Sequence, residues 1–325
     1  MTADIDPEVV QWVEMLRSHD LNDRLVAAKA LQHLGDEDSI EALVQCLEDE
    51  SPKVQEIAVT ALWEMANPTV VPALLNCLDS QREPEVRDEA LSALKELVTP
   101  DDLLKLLDAV QLDDESIQLN VLILLRKIHD AQALPYILPF FASANPALRE
   151  AAVVTLRYLN QVVRCEPALP LAKDDNADVR RAAMLTLGHL SDEAVVPILC
   201  EALTADSDWQ VRRNAAQSLD LHSTESALAA LTKAMGDDHW QVRKFTARAL
   251  QKVATNETIP VLIRALSDEY SDVRRDAAIA LGNIGNPEVL PALQQTLDDP
   301  DRDVQIFSQR AIQQLQDPLA EPSNA

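Results

Sequence analysis

Apolar residues recur along this chain three and four apart, in blocks that themselves recur every 31 or 32 residues. One aliphatic residue per block serves as position zero: Val54, Val86, Ile117, Leu148, Val179, Val211, Val242, Val273 and Val304, with Asp23 in register ahead of them. Eight residues further on stands a second aliphatic: Leu31, Leu62, Leu94, Leu125, Leu156, Leu187, Leu219, Leu250, Leu281 and Ile312. At 100° per residue, positions 0, 4, 8 and 11 share one side, so every block predicts an amphipathic helix. Apolar runs ahead of it, such as Val195, Ile198, Leu199 and Leu203, predict a first helix in each block. Asn67-Pro68 and Asn286-Pro287 read as its start, an N-cap followed by a proline that needs no partner for its nitrogen. Pro72, Pro135, Pro197, Pro260 and Pro291 come about a turn later, where each should remove a backbone bond and bend the helix. All five lie 18 residues after the preceding anchor, so the extra residue of the two 32-residue gaps is expected in the turn between helices.

Ten such blocks predict an all-α solenoid, in which each helix pair buries its apolar face only by stacking on its neighbours. A single array over residues 1–315 is expected, and the tail 316–325, with Pro318 and Pro322, is expected to fray. The phrase Asp272-Val-Arg-Arg-Asp-Ala-Ala-Ile-Ala-Leu-Gly-Asn-Ile-Gly285 has relatives starting at Asp178 and Trp209. It resembles the HEAT-like repeats of the phycobilisome-lyase type. The resemblance implies a right-handed α-α superhelix of about ten 31-residue helix pairs, with the second helices lining the concave side. Its functional range is broad, from bilin lyase subunits and degradation factors to partners in cofactor maturation and plain scaffolds, and a fold alone does not choose among them.

Composition narrows the function. Five glycines and 3% aromatics in 325 residues disfavour sheets and loop-rich enzymes. With 54 acids against 28 bases, a net charge of −26 disfavours nucleic acid. The first fifteen residues lack the basic-then-apolar pattern of a signal peptide, and no apolar run is long enough for a membrane span. Four cysteines without C-x-x-C spacing fit reduced thiols in a cytoplasmic setting. Dinucleotide, P-loop and zinc-protease motifs are missing from the sequence. Deoxyhypusine hydroxylase, an enzyme built on similar repeats, holds two irons through His-Glu pairs. None of the six histidines here is followed by Glu, so no catalytic or metal-binding set is assigned.

Two repeated features invite functional readings that packing answers better. Cys46 and Cys77 occupy matching positions in adjacent repeats and suggest a thiol-dependent partner in iron–sulfur cluster assembly, but small core side chains are the stronger reading. Arg24, Arg87, Arg149, Arg180, Arg212, Arg243 and Arg274 at position +1 look like an anion track. Their place on the edge of the buried stripe, near turn acids such as Asp208 and Asp301, favours hydrogen bonds between repeats.

Positions −2, −1, 2, 3, 6 and 10 of the second helices should form the inner floor. Repeats 2 and 3 place Glu56, Glu64, Glu85, Asp88, Glu89 and Glu96 there. Repeats 4 to 6 contribute apolar Leu119, Ile123, Val154, Tyr158 and Leu185. Later repeats bring Arg181, Arg213, Lys244, Arg248, Lys252, Arg275, Arg302 and Arg310, interleaved with Trp209, Trp240, Phe245 and Phe307. Arg with Trp is the composition of binding hot spots. The partner-binding face is therefore expected at Tyr158, Arg181, Trp209, Arg213, Trp240, Lys244, Phe245, Arg248, Lys252, Arg275, Phe307 and Arg310. It suits a protein with an acidic and apolar surface. The reading that follows is a non-catalytic scaffold, adaptor or chaperone without a cofactor, serving the assembly of cofactor-bearing proteins such as phycobiliproteins. The alternative is a bilin lyase or lyase-like subunit, working with a second subunit. In it, arginines would pair with the propionates of a phycobilin and tryptophans would stack on its rings.

Overall fold

The computed structural model describes residues 6–316, in which nineteen α-helices and ten short 3₁₀ segments occur without a strand. The expected tail beyond Gln316 lies outside the described residues, and Gln316 itself still closes the last helix, Arg302–Gln316. The helices gather into two compact units, residues 1–161 and 162–325, although the sequence register runs through that division unchanged.

In the first unit the second helices of the repeats are Leu21–Leu34, Pro52–Glu64, Pro84–Leu97, Glu115–Ile128 and Pro146–Tyr158. In the second unit they are Ala177–Leu187, Trp209–His222, Trp240–Val253, Ser271–Ile284 and Arg302–Gln316. All nine aliphatic anchors from Val54 to Val304 are buried, as are all ten residues eight positions on. Each such side chain contributes about 1.5–3 kcal/mol through removal from water, so the repeated stripe is the core. Repeats 6 and 7 and repeats 9 and 10 approach closely at glycine. A Cβ on Gly188 would lie 2.2 Å from Ser218 Oγ, and one on Gly282 would lie 2.8 Å from Ala311 Cβ.

The first helices differ from expectation in two respects. Most begin as a three-residue 3₁₀ turn, such as Pro68–Val70 or Pro287–Val289, and continue as a short α-helix, Val71–Asn76 or Leu290–Gln295. Pro72, Pro135, Pro260 and Pro291 each take the second α-helical position, and Pro197 takes the third in Val195–Ala205. There the nitrogen has no helical acceptor to lose, so none of the five bends a running helix, and the first four mark a 3₁₀-to-α junction. Asn67 and Asn286 cap the turns as expected, accepting from Thr69 N at 3.0 Å and Glu288 N at 2.9 Å. Of the two extra residues, one falls in the turn before Pro84. The other is absorbed into Val195–Ala205, which runs unbroken to the residue before Asp206.

Candidate functional site

Five of the seven position +1 arginines form a repeated structural clamp between repeats, whereas Arg87 donates to the Ser80 and Arg82 carbonyls of its own turn. Arg24, Arg180, Arg212, Arg243 and Arg274 each bind an aspartate of the following repeat through two parallel hydrogen bonds: Asp49, Asp206, Asp237, Asp268 and Asp299. Each third nitrogen donates to a carbonyl six residues back in the arginine's own turn. Gln55, Gln118 and Gln305 stand at +1 in three other repeats and keep that carbonyl bond alone. The expected bonds between repeats are thus present, but their acceptors lie at position −5. Asp208 and Asp301, at −3, instead cap the helices that follow them.

The supposed cationic row at +2 is largely neutralised within the second unit. Arg181 pairs with Asp208 of the next repeat and with Asp178 at 2.6 Å. That contact, with the cap bonds, holds the Asp208 carboxyl down to about 2. Lys244 binds Asp272 at 2.8 Å, and Arg275 binds Asp272 at 2.8 Å and the buried Asp276 at 3.1 Å. The Lys244 contact, followed by its charge, lowers the Asp272 carboxyl, whereas burial raises that of Asp276. Arg248 and Lys252, both more than half or nearly half exposed, converge on the buried Asp220. Arg213 is different: its Nε and an Nη donate to the neutral Asn214 Oδ1 at 3.1 and 2.7 Å.

Trp209, Trp240, Phe245 and Phe307 are half-buried and mostly engaged, whereas Tyr158 is exposed. Trp209 stacks on His239 of the next repeat at 3.7 Å between ring centres and 10° between planes. Trp240 does the same with Tyr270 at 4.6 Å and 11°. Cations lie over three of the rings: Arg213 over Trp209 at 5.7 Å, Lys244 over Trp240 at 5.9 Å and Arg310 over Phe307 at 5.2 Å. Phe245 is half-buried on the same helix as Lys244. Tyr158 belongs to the first unit, where Arg157 lies 5.3 Å over its ring and His129 is tilted against it.

Sequence patterning did not single out Asn214, Asp220, His239 and Tyr270, and it placed Asp208 only as a turn acid beside the +1 arginines. Two of them were legible: His239 and Tyr270 share one column, position −3, with Asp208 and Asp301, directly before the tryptophan column. Asp220 and Asn214 carried no signal, because their partners sit 28 or more residues away or depend on side-chain direction. The acidic patch of the first unit stays largely uncompensated. Lys53 pairs with Glu56, while the carboxylates of Glu64, Glu89 and Glu96 accept from the neutral side chains of Gln32, Thr60 and Trp63 and form no ion pair among the described residues.

Burial pushes the thiols of Cys46 and Cys77 up to about 11, so both are protonated packing groups at neutral pH. Among the described residues, no cluster of His, Cys, Asp or Glu could hold a metal ion, and no helix is long and apolar enough to cross a membrane. A hollow of about 760 Å³ opens beside His189, Val196, Leu221 and His222, away from every predicted site residue. Burial lowers the His222 pKa, so that ring is a neutral imidazole at the wall of the hollow.

The sequence profile of HEAT repeats matches residues 9–95, 165–247 and 228–316. Curated proteins provide no match. Among solved structures, an engineered protein aligns over 95% of this chain and 99% of its own, with TM-score 0.57 and 21% identity. Chains from a structure of Kap95p with RanGDP and from a Kap95–Nup1 complex align over 98% of this chain with TM-score 0.62 and 15% identity. This chain spans about half the length of those two, 52% in each case. At such identities the likeness concerns the fold.

Proposed function

We propose, from the premise that this chain belongs to the HEAT-repeat family, that it is a non-catalytic protein-binding scaffold. Its partner-binding surface is the cation- and aromatic-rich face of the 162–316 unit. The observation that carries this reading is the set of three cation–ring pairs, Arg213–Trp209, Lys244–Trp240 and Arg310–Phe307, on second helices of one unit. A guanidinium held over a ring presents charge and apolar area together, the combination that anchors protein interfaces. Structures of Kap95 with RanGDP and Nup1 show that similar repeat chains engage protein partners. A role as adaptor or chaperone in the assembly of cofactor-bearing proteins is the finer form of this proposal, and it draws its support from the repeat phrase at Asp272–Gly285.

Comparative pull-down with mass spectrometry tests the reading. Reversal of Arg213 and Arg310 to Glu should reduce capture of the physiological partner about tenfold or more, with helicity unchanged by circular dichroism. Capture at the wild-type level would remove this face from consideration. Arg248 and Arg275 are unsuited to such a reversal, since a glutamate would meet the buried Asp220 at the first and Asp272 and the buried Asp276 at the second.

A further inference from the structure

One stacking step in the second unit lacks a counter-ion that the preceding step has. Asp208 at position −3 performs two tasks. It caps Trp209–His222 through the N–H groups of Gln210 and Val211, at 2.8 and 3.1 Å, and it receives the guanidinium of Arg181 from the repeat before. At the next step the corresponding cation is Arg213 and the corresponding position −3 residue is His239. His239 provides no side-chain cap and lies flat on Trp209. Arg213 keeps only the neutral Asn214 oxygen and the Trp209 ring as partners and makes no ion pair with any described residue. Arg181, Lys244 and Arg275, its counterparts at +2, each hold a carboxylate.

We propose that Arg213 accepts the side-chain carboxylate of an Asp or Glu from an extended acidic segment of the protein partner. That carboxylate supplies what Asp208 supplies to Arg181, and the residue beside it in the segment packs against the Trp209–His239 stack. The inference rests on the reading of this face as partner-binding and names the residue that recognises the partner's charge. Charge complementarity selects the occupant: a half-buried guanidinium without a carboxylate gains most from a bidentate anionic acceptor. The paired cations beside it have that interaction already.

Fluorescence anisotropy on the full chain tests the inference, with a labelled twelve-residue peptide alternating Glu and Leu as the probe. Arg213→Gln, which retains an amide donor for Asn214, should weaken binding about tenfold. Arg181→Gln, which removes a cation already paired, should change it less than about twofold. His239→Asp should place a carboxylate against Arg213 and cap Trp240–Val253, raising the melting temperature while weakening the peptide about tenfold. A peptide with Gln in place of Glu should not bind. Equal losses for Arg213→Gln and Arg181→Gln would overturn the Arg213 assignment and leave the scaffold reading in place, as would a stabilised His239→Asp protein that binds like wild type. No binding of the Glu–Leu peptide to the wild-type chain overturns the assignment as well. If capture of the physiological partner also survives reversal of Arg213 and Arg310, the reading of this face as partner-binding falls with it.

Discussion

Arg274 grips Asp299, twenty-five residues later, through two parallel hydrogen bonds of 2.7 Å, while its remaining Nη donates to the carbonyls of Asp268 and Glu269. One side chain thereby ties its own turn to the turn of the next repeat, and Arg24, Arg180, Arg212 and Arg243 make the same clamp. Asp299 in turn accepts from Asp301 N at 2.8 Å. Both partners are almost buried, with side-chain exposures of 11% and 7%. Arg274→Leu would strand a shielded carboxylate and should lower stability by about 3 kcal/mol. Arg274→Lys, which cannot reproduce the parallel pair, should fall between the two. Urea denaturation of the three proteins checks the order.

Acid should loosen the second unit in a defined window. Asp208, held at about 2 chiefly by Arg181, and Asp272 and Asp299, lowered chiefly by Lys244 and Arg274, all have folded pKa values below the ordinary carboxylate range. Between about pH 4 and pH 2 the unfolded chain therefore binds more protons, and their stabilisation, complete above the unfolded pKa, is lost as pH falls through that range. Thermal melts from pH 7 to pH 2 should be flat down to about pH 5 and then drop. The drop should be smaller in Arg181→Gln.

Asp276 behaves in the opposite sense, because burial raises its pKa. Its ionised form is the costly one in the fold, so it weakens the native state above its folded pKa. Asn214 shows that an amide serves at the equivalent position, accepting from its neighbouring arginine. Asp276→Asn should retain at least wild-type stability at pH 7, measured by thermal denaturation.

Gly188→Ala should be destabilising by about 1–3 kcal/mol, the cost of overpacking a tight helix contact. The new methyl would sit 2.2 Å from Ser218 Oγ and 2.4 Å from its Cβ. Ser218→Gly in the same chain should recover part of the loss, a coupling that a double-mutant cycle on melting data would show.

The buried thiols give a chemical test. Cys46 and Cys77, pushed up to about 11 by burial, should resist alkylation by iodoacetamide at pH 7.5 in the native protein and react fully in urea. A protein with both cysteines changed to Ala should capture its partner with or without metal ions as wild type does.

Phycobilin should produce no shifted absorption band on mixing with the purified chain. A tetrapyrrole would need two free cations for its propionates, whereas in the +2 row Arg213 alone lacks a carboxylate and Arg181, Lys244 and Arg275 are paired. A band shift with transfer to an apo-phycobiliprotein would favour the lyase alternative.

The helix pairs, their register and the buried stripe were written in the sequence, because helical periodicity is local and each anchor such as Val211 or Val273 is buried by its own neighbours in the pattern. Even the capping of a first-helix turn by Asn286 follows from adjacent residues. Charge was another matter. The row Arg181, Arg213, Lys244 and Arg275 reads as four equivalent cations, yet three are paired and one is not. The difference arises from carboxylates as far as 28 residues away and from a histidine where the previous repeat has Asp208. Whether two charges meet depends on how successive helices stack and where each side chain points, and Coulomb attraction falls off with that separation. Periodicity established which residues face away from the core, and only the packing of one repeat on the next decided which of them remain available to a partner.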